Sequence, residues 1–291
     1  MLEFLGGGSW RDATCEYLTA GDTVDSRHRQ PRPVADLPRL WEQEFDISRS
    51  LWDRKSLVID LDIEYVNFDF PIEPYLEPKP IFTLQRPVEL ATEAVLLDYS
   101  IQPLHLLSGR GHHFVWRIRQ DSRAFRRLAR LGHVPPSLKA VNARAHRPHG
   151  NPISPELGAA FAGLGLVMEF VAHRIKEEAA PMCAIPVELT AVEVGPGKLG
   201  REMISIDISE YGDPLSTRVI RVPFSLYLKP WQQRGILGEG IVKKLRPVFL
   251  IPLHEMGSQR GLQIMEDVEK VLALARGTST KIPDQTGVTE A

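Results

Sequence analysis

From Leu57 to Tyr65 the chain reads LVIDLDIEY, apolar and acidic residues alternating with the period of a strand that buries one face. Two shorter apolar runs, Leu104 to Leu107 and Phe114 to Ile118, flank Ser108-Gly109-Arg110-Gly111-His112-His113 and predict a strand, a tight glycine turn and a second strand. Further strands are expected over Val187 to Val194 and Met203 to Ile208, around Gly195-Pro196-Gly197. Thr217 to Leu228 reads as extended with an Arg-Val-Pro-Phe-Ser turn inside it, and Val242 to Pro252 as holding another apolar strand. Helical spacing appears in Leu37 to Arg49, Val88 to Tyr99, Ser122 to Leu131, Ser154 to Ala179 and Leu262 to Ala275. Ser154 is placed to cap its helix, with Glu156 in the first turn. Pro71 to Pro87 reads as a proline-rich loop.

Strands and helices mix without strict alternation, so the fold class is α+β. The chain divides into an N-terminal extension, partly helical, over 1–50, a core over 51–256, a helix packed on it over 257–276, and a polar tail over 277–291 expected to be disordered.

With 291 residues, 43% of them hydrophobic, the chain can bury a substantial core. A net charge of -2 announces no nucleic-acid partner by itself. Only two cysteines occur, Cys15 and Cys183, far apart; this excludes a cysteine-built zinc knuckle and argues against a disulfide framework. Met1 to Trp10 lacks a secretory pattern, and the longest apolar run, Leu157 to Val171, carries Glu169 and reads as a packed helix. A soluble, cytoplasmic protein with no membrane partner is the expectation.

Three constellations carry chemistry. Asp60 and Asp62, at i and i+2 on one strand, put two carboxylates on one face, where like charges repel unless a cation sits between them. Mg²⁺ and Mn²⁺ prefer such oxygen ligands. A solvated charged strand competes with that reading, and the apolar neighbours Val58, Ile59, Leu61 and Ile63 favour a buried strand instead. Glu64 continues the acidic face, as a further ligand or a supporting group. In Ser108 to His113, glycines let the backbone approach a ligand, while a hydroxyl, an Arg fork and a His suit a triphosphate. A merely polar hairpin turn is the competing reading. Asp207, after Ile204-Ser205-Ile206, is a lone carboxylate on a predicted strand, equally a solvated acid or the third ligand of a metal site; Asp213 belongs to a turn with Gly212 and Pro214.

In this order, LVIDLD (57–62), LLSGRGHHFVW (106–116), ISID (204–207) and RVIRVPFSLYLK (218–229) resemble the archaeo-eukaryotic primase superfamily over about 60 to 230. The resemblance implies a primase-polymerase core, an RRM-like sheet unit packed with an N-terminal α/β unit. It makes Asp60, Asp62 and Asp207 catalytic carboxylates and ligands of two Mg²⁺ or Mn²⁺ ions, and Ser108, Arg110, His113 and Arg221 contacts to the phosphates of an incoming nucleotide. The activity implied is template-directed joining of NTPs or dNTPs on single-stranded DNA. Two departures stand out. Tyr227 occupies the position where the family has His, and no cysteine-based zinc module is present, so no zinc is expected. No GxxxxGK[ST] motif occurs, so unwinding would fall to a separate helicase or replication protein.

Between Arg110 and Arg147 ten Lys/Arg face one acid, Asp121, whereas acids gather from Asp60 to Asp98. This basic stretch, Arg126 and Arg127 included, is expected to track a nucleic-acid backbone, against the alternative of a solvated helix face. Two other functions compete: a metal-dependent nuclease or phosphohydrolase using the same carboxylates, and a catalytically degenerate nucleic-acid-binding replication protein, toward which Tyr227 leans.

Overall fold

The computed structural model describes residues 1–21, 30–43, 45–144, 153–190, 202–216, 219–232 and 238–285. They form a mixed α+β structure built on two sheets. The larger has six strands in the order β6-β7-β3-β5-β4-β9: β3 is Ser56–Asn67, β4 Leu104–Leu107, β5 Gly111–Arg119, β6 Val187–Leu189, β7 Glu202–Asp207 and β9 Ile251–Pro252. All neighbours are antiparallel except β6 and β7. The smaller sheet, β1-β2-β8, joins Leu18–Gly21, Asp46–Ser50 and Val219–Arg221, all antiparallel.

At the centre is a β-α-β-β-α-β unit: β3, the helix Pro78–Asp98, β4, β5, the helix Pro155–Ala179 and β7. Its two long helices, with the helix Arg123–Leu131, cover one face of the large sheet. There Leu57, Ile59, Leu61 and Ile63 of β3 meet Phe114, Trp116 and Ile118 of β5 and Phe161, Leu164, Met168 and Val171 of the long helix. Ser122 and Ser154 cap their helices, accepting from the amides of Phe125 and Leu157 at 3.1 Å. A Cβ on Gly163 would lie 2.2 Å from the Leu128 carbonyl oxygen, so only glycine lets these two helices cross so closely. The opposite face of the sheet is apolar at one end, where Val58, Leu104, Leu106 and Val115 join a second core with Phe4, Leu5, Leu18, Ile47 and Ile220.

Several expectations are corrected. The described residues of the expected N-terminal extension, 1–50, supply β1, β2 and buried anchors of the second core. The helix expected over Leu37 to Arg49 covers only Leu37–Glu42, because Asp46–Ser50 is paired on both edges as β2. The proline-rich loop is largely helix. Pro78 and Pro80 lie in the first turn of Pro78–Asp98, where amides have no partner within the helix, and burial of Ile81, Phe82 and Val88 carries the helix past Pro87. β6 and β7 are parallel neighbours rather than a hairpin, and Gly195-Pro196-Gly197 lies outside the described residues. Within Val242 to Pro252 only Ile251–Pro252 is strand, on the edge beside β4. The C-terminal helix is two helices, Ser258–Met265 and Val268–Gly277; between them Asp267 accepts from the amides of Glu269 and Lys270 and starts the second.

The tail packs as far as it is described. Thr280 and Ile282 are buried, the Met1 ammonium donates to Thr280 Oγ1 at 2.9 Å, and Arg117 pairs with Asp284 at 2.8 Å. The segment Pro155–Met182 is long and apolar enough to cross a bilayer by composition, although no run of that length was expected; 44% of its most apolar window is buried within the protein.

Candidate active site

The strand period of two puts Asp60, Asp62 and Glu64 on the face of β3 opposite Leu61 and Ile63. Sheet register then does what sequence distance hides. Asp62 lies directly opposite His113 on β5 and directly opposite Asp207 on β7, so segments about 145 residues apart meet in one row across three strands. At 7% exposure Asp60 is buried. Its backbone is held at both ends by Tyr211, whose hydroxyl accepts from Asp60 N at 3.2 Å and donates to Asp60 O at 2.8 Å.

His113 stands between the two aspartates, its Nδ1 3.1 Å from Asp60 Oδ2 and 3.7 Å from Asp62 Oδ1. Burial alone would lower its pKa; the charges of Asp62 and Asp60 outweigh that and raise it to about 9, with Arg221 opposing. The imidazolium thus holds the position between carboxylates that a cation would take. Burial also pushes the Asp62 carboxyl up, and the neighbouring Glu64 and Asp60 push it further against the pull of His113. Asp62 Oδ1 is buried with no hydrogen-bond partner.

A fourth carboxylate, missed in the sequence, belongs here. Glu210 is buried, its Oε1 lacks a hydrogen-bond partner, and burial and then Asp60, Asp207 and Asp62 hold its pKa well above the usual range. Its only sequence signal is an acid three residues beyond Asp207 in a short helical turn. Asp207 itself accepts from the Ser209 amide at 2.9 Å. Asp213 accepts from the Leu215 amide, as expected of a turn residue.

The glycine turn differs in detail from its expectation. Ser108 is buried and its hydroxyl serves the turn, accepting from Gly111 N at 3.1 Å and Arg110 N at 3.4 Å and donating to Gly111 O at 3.1 Å. Those amides are therefore satisfied within the turn rather than held open. Gly111 is required by close approach: a Cβ there would lie 1.8 Å from the Ile63 carbonyl oxygen. Arg110 ion-pairs with Glu64, and that charge outweighs burial to hold it firmly protonated. Glu64 is thus the partner of Arg110, its own pKa lowered by that guanidinium despite burial.

Arg221 comes from the smaller sheet. Its guanidinium lies over the Tyr227 ring, 3.8 Å from the centroid, and its Nη1 is buried without a hydrogen-bond partner. Tyr227, in turn, packs against Tyr75 at 5.9 Å. The Pro-Phe-Ser segment fastens the sheets together: Ser225 Oγ accepts from Ile47 N at 2.8 Å, and Phe224, at φ 69, donates its amide to Leu250 O. A cavity of about 200 Å³ opens among Tyr75, Lys79, Gly109, Lys244, Arg246 and Val248; none of the four carboxylates lines it.

Several arginines of the basic stretch are ion-paired. Arg110, Arg117 and Arg119 pair with Glu64, Asp284 and Asp121. Arg123, Arg126, Arg127 and Arg130 are exposed on Arg123–Leu131, which follows β5 at Arg119. Six residues of strand, about 20 Å, separate that end of β5 from His113. Arg147 and Arg218 lie outside the described residues. Compared with family models, with curated proteins and with solved structures, the chain gives no match.

Proposed function

We propose that this protein is a template-directed nucleotidyltransferase, a DNA primase or primase-polymerase of the archaeo-eukaryotic type. The observation that carries the reading is the row Asp207–Asp62–His113 across β7, β3 and β5, with Asp60 beside it: three motif segments scattered along the chain converge on one face. The β-α-β-β-α-β order, with strands arranged β7-β3-β5-β4, supports the RRM-like core that the motifs imply.

The donor set fits divalent metal. Asp60, Asp62 and Asp207 lie near enough to Glu210 for their charges to raise its pKa, and buried oxygens of Asp62 and Glu210 have no hydrogen-bond partner, a costly arrangement unless a cation satisfies them. Asp60, Asp62 and Asp207 would hold Mg²⁺ or Mn²⁺, whose chemistry there is to activate a 3′-hydroxyl and to neutralise the leaving pyrophosphate. His113 and Arg221 supply donors and positive charge to phosphate oxygens, and Arg110 does so on exchanging Glu64 for a phosphate. Ser108 holds the turn that presents Arg110. Tyr227 cannot supply the charge of a histidine, but by stacking it keeps Arg221 in place.

Incubating the protein with a single-stranded DNA template and labelled NTPs or dNTPs, with Mn²⁺ or Mg²⁺ and with or without primer, tests this. Template-dependent product is expected. Release of nucleotides from DNA without incorporation, or no binding of Mn²⁺ and triphosphate, would overturn the reading.

A further inference from the structure

His112 and His113 are neighbours on β5 and therefore face opposite sides of the sheet. His113 belongs to the site above. His112 lies under the helix Pro78–Asp98, fully buried, edge-on to Phe82 at 5.3 Å. Its Nδ1 is 2.9 Å from Nε2 of His105 on β4, and its Nε2 is 4.0 Å from Oε2 of Glu89 on the helix. Both of those last atoms are buried without hydrogen-bond partners. Glu89 is only 2% exposed; its other oxygen accepts from Ser258 Oγ at 2.7 Å and meets Arg86 at 2.8 Å. One ligand atom from each of Glu89, His105 and His112 lies within 4.8 Å of the others.

We propose that Glu89, His105 and His112 bind one Zn²⁺ or a similar late first-row divalent ion. Two imidazoles and a carboxylate suit Zn²⁺, Co²⁺ or Ni²⁺ and not Mg²⁺, which prefers all-oxygen surroundings. Two orphaned buried atoms facing each other across 4.0 Å are what a missing ligand-bridging ion leaves behind. Burial, then the charges of His105 and His113, keeps His112 neutral, the form that ligates. The outer support is present too: Glu93 Oε1 lies 3.5 Å from His105 Nδ1, placed to accept its proton and aim Nε2 inward. On binding, His105 Nε2 exchanges its hydrogen bond with His112 for the ion; each imidazole keeps its single proton on Nδ1, so both ligate through Nε2 as neutral rings and no proton is lost. The cysteine count, from which no zinc was expected, does not bear on such a site. It ties the helix to β4 and β5 directly behind the turn carrying Arg110 and His113. It uses none of the proposed catalytic residues and stands whether or not the nucleotidyltransferase reading does.

The test uses the full chain, stripped with a chelator, then given Zn²⁺ or Co²⁺ in the presence of excess Mg²⁺ and desalted. One retained equivalent by elemental analysis, a Co²⁺ visible spectrum with imidazole ligation and a raised thermal midpoint are expected. Asp60→Asn with Asp62→Asn should retain the ion. His105→Gln, at a partly exposed position, should retain less than about a tenth of an equivalent, and Glu93→Gln should weaken affinity about tenfold while leaving the circular dichroism unchanged. No retained ion in the wild type, retention unaffected by both His105→Gln and Glu93→Gln, or loss in the aspartate variant instead would overturn the proposal.

Discussion

The two faces of β3 are built from alternate residues of one strand and behave in opposite ways. Leu57, Ile59, Leu61 and Ile63 fill a continuous core under three helices. Asp60, Asp62 and Glu64, one step away, set carboxyls beside each other and near Glu210, and buried oxygens of Asp62 and Glu210 have no hydrogen-bond partner. His112 and His113 repeat the contrast on β5. Both are largely buried, yet the pKa of the first is driven well below its usual value and that of the second up to about 9. Burial opposes the charged form at both; only His113 has two aspartates against it. Burial sets the sign at His112, whereas two neighbouring carboxylates override it at His113, and the face that gathers such buried charge is where function is to be sought.

The sharpest way to break this comparison is to neutralise the acidic face. Asp60→Asn with Asp62→Asn should reduce nucleotide incorporation about 10³-fold or more, since the ligands for several kcal/mol of transition-state stabilisation are removed. The fold should stay intact by circular dichroism, while the buried His113 loses both charged partners and with them its contribution to stability. Full activity in that variant would sink the assignment of the acids.

The reciprocal change is Leu61→Ala on the apolar face. It should cost about 2–5 kcal/mol of stability in urea unfolding, through lost burial and a cavity. Residual activity per folded molecule should be close to wild type; loss of turnover without loss of stability would contradict the division of labour.

A third test uses pH, with chelator present. The folded pKa of His113 is raised above its unfolded value near 6.5, so its contribution to stability is fully present below that value and is lost as pH rises through about 9. Unfolding free energy should therefore fall across that window by about 3 kcal/mol. His113→Asn should flatten the fall; an unchanged profile would show that the imidazolium is not paired as described.

The smallest effect concerns the exposed arginines. Arg126→Glu with Arg127→Glu should weaken single-stranded DNA binding and make log affinity depend less steeply on log salt, by about one unit of slope per lost phosphate contact. Binding that is indifferent to this double change would leave Arg123–Leu131 as a solvated helix face.

Local periodicity was enough for β3, β4 and β5, for the helices capped by Ser122 and Ser154, and for the α+β class, because alternation and capping act within a few residues. Asp60 and Asp62 stood out as carboxylates on an apolar strand and the glycine turn as a basic loop, whereas Asp207 as third ligand and His113 rather than His112 were implied by the family resemblance. Only the tertiary structure decided the rest. Asp46–Ser50 became a strand because β1 and β8 flank it, and Pro78–Asp98 overrode its prolines by burying one side. Thr280 and Ile282 were ordered by contacts to the other end of the chain and its second core. Glu210 entered the site, and Ser108 turned away from solvent into its own turn, through contacts that no spacing announces. Register between distant strands placed Asp207 beside Asp62 and put His112 and His113 on opposite faces: hydrogen-bonded pairing brings remote residues together, and sequence separation carries no trace of it.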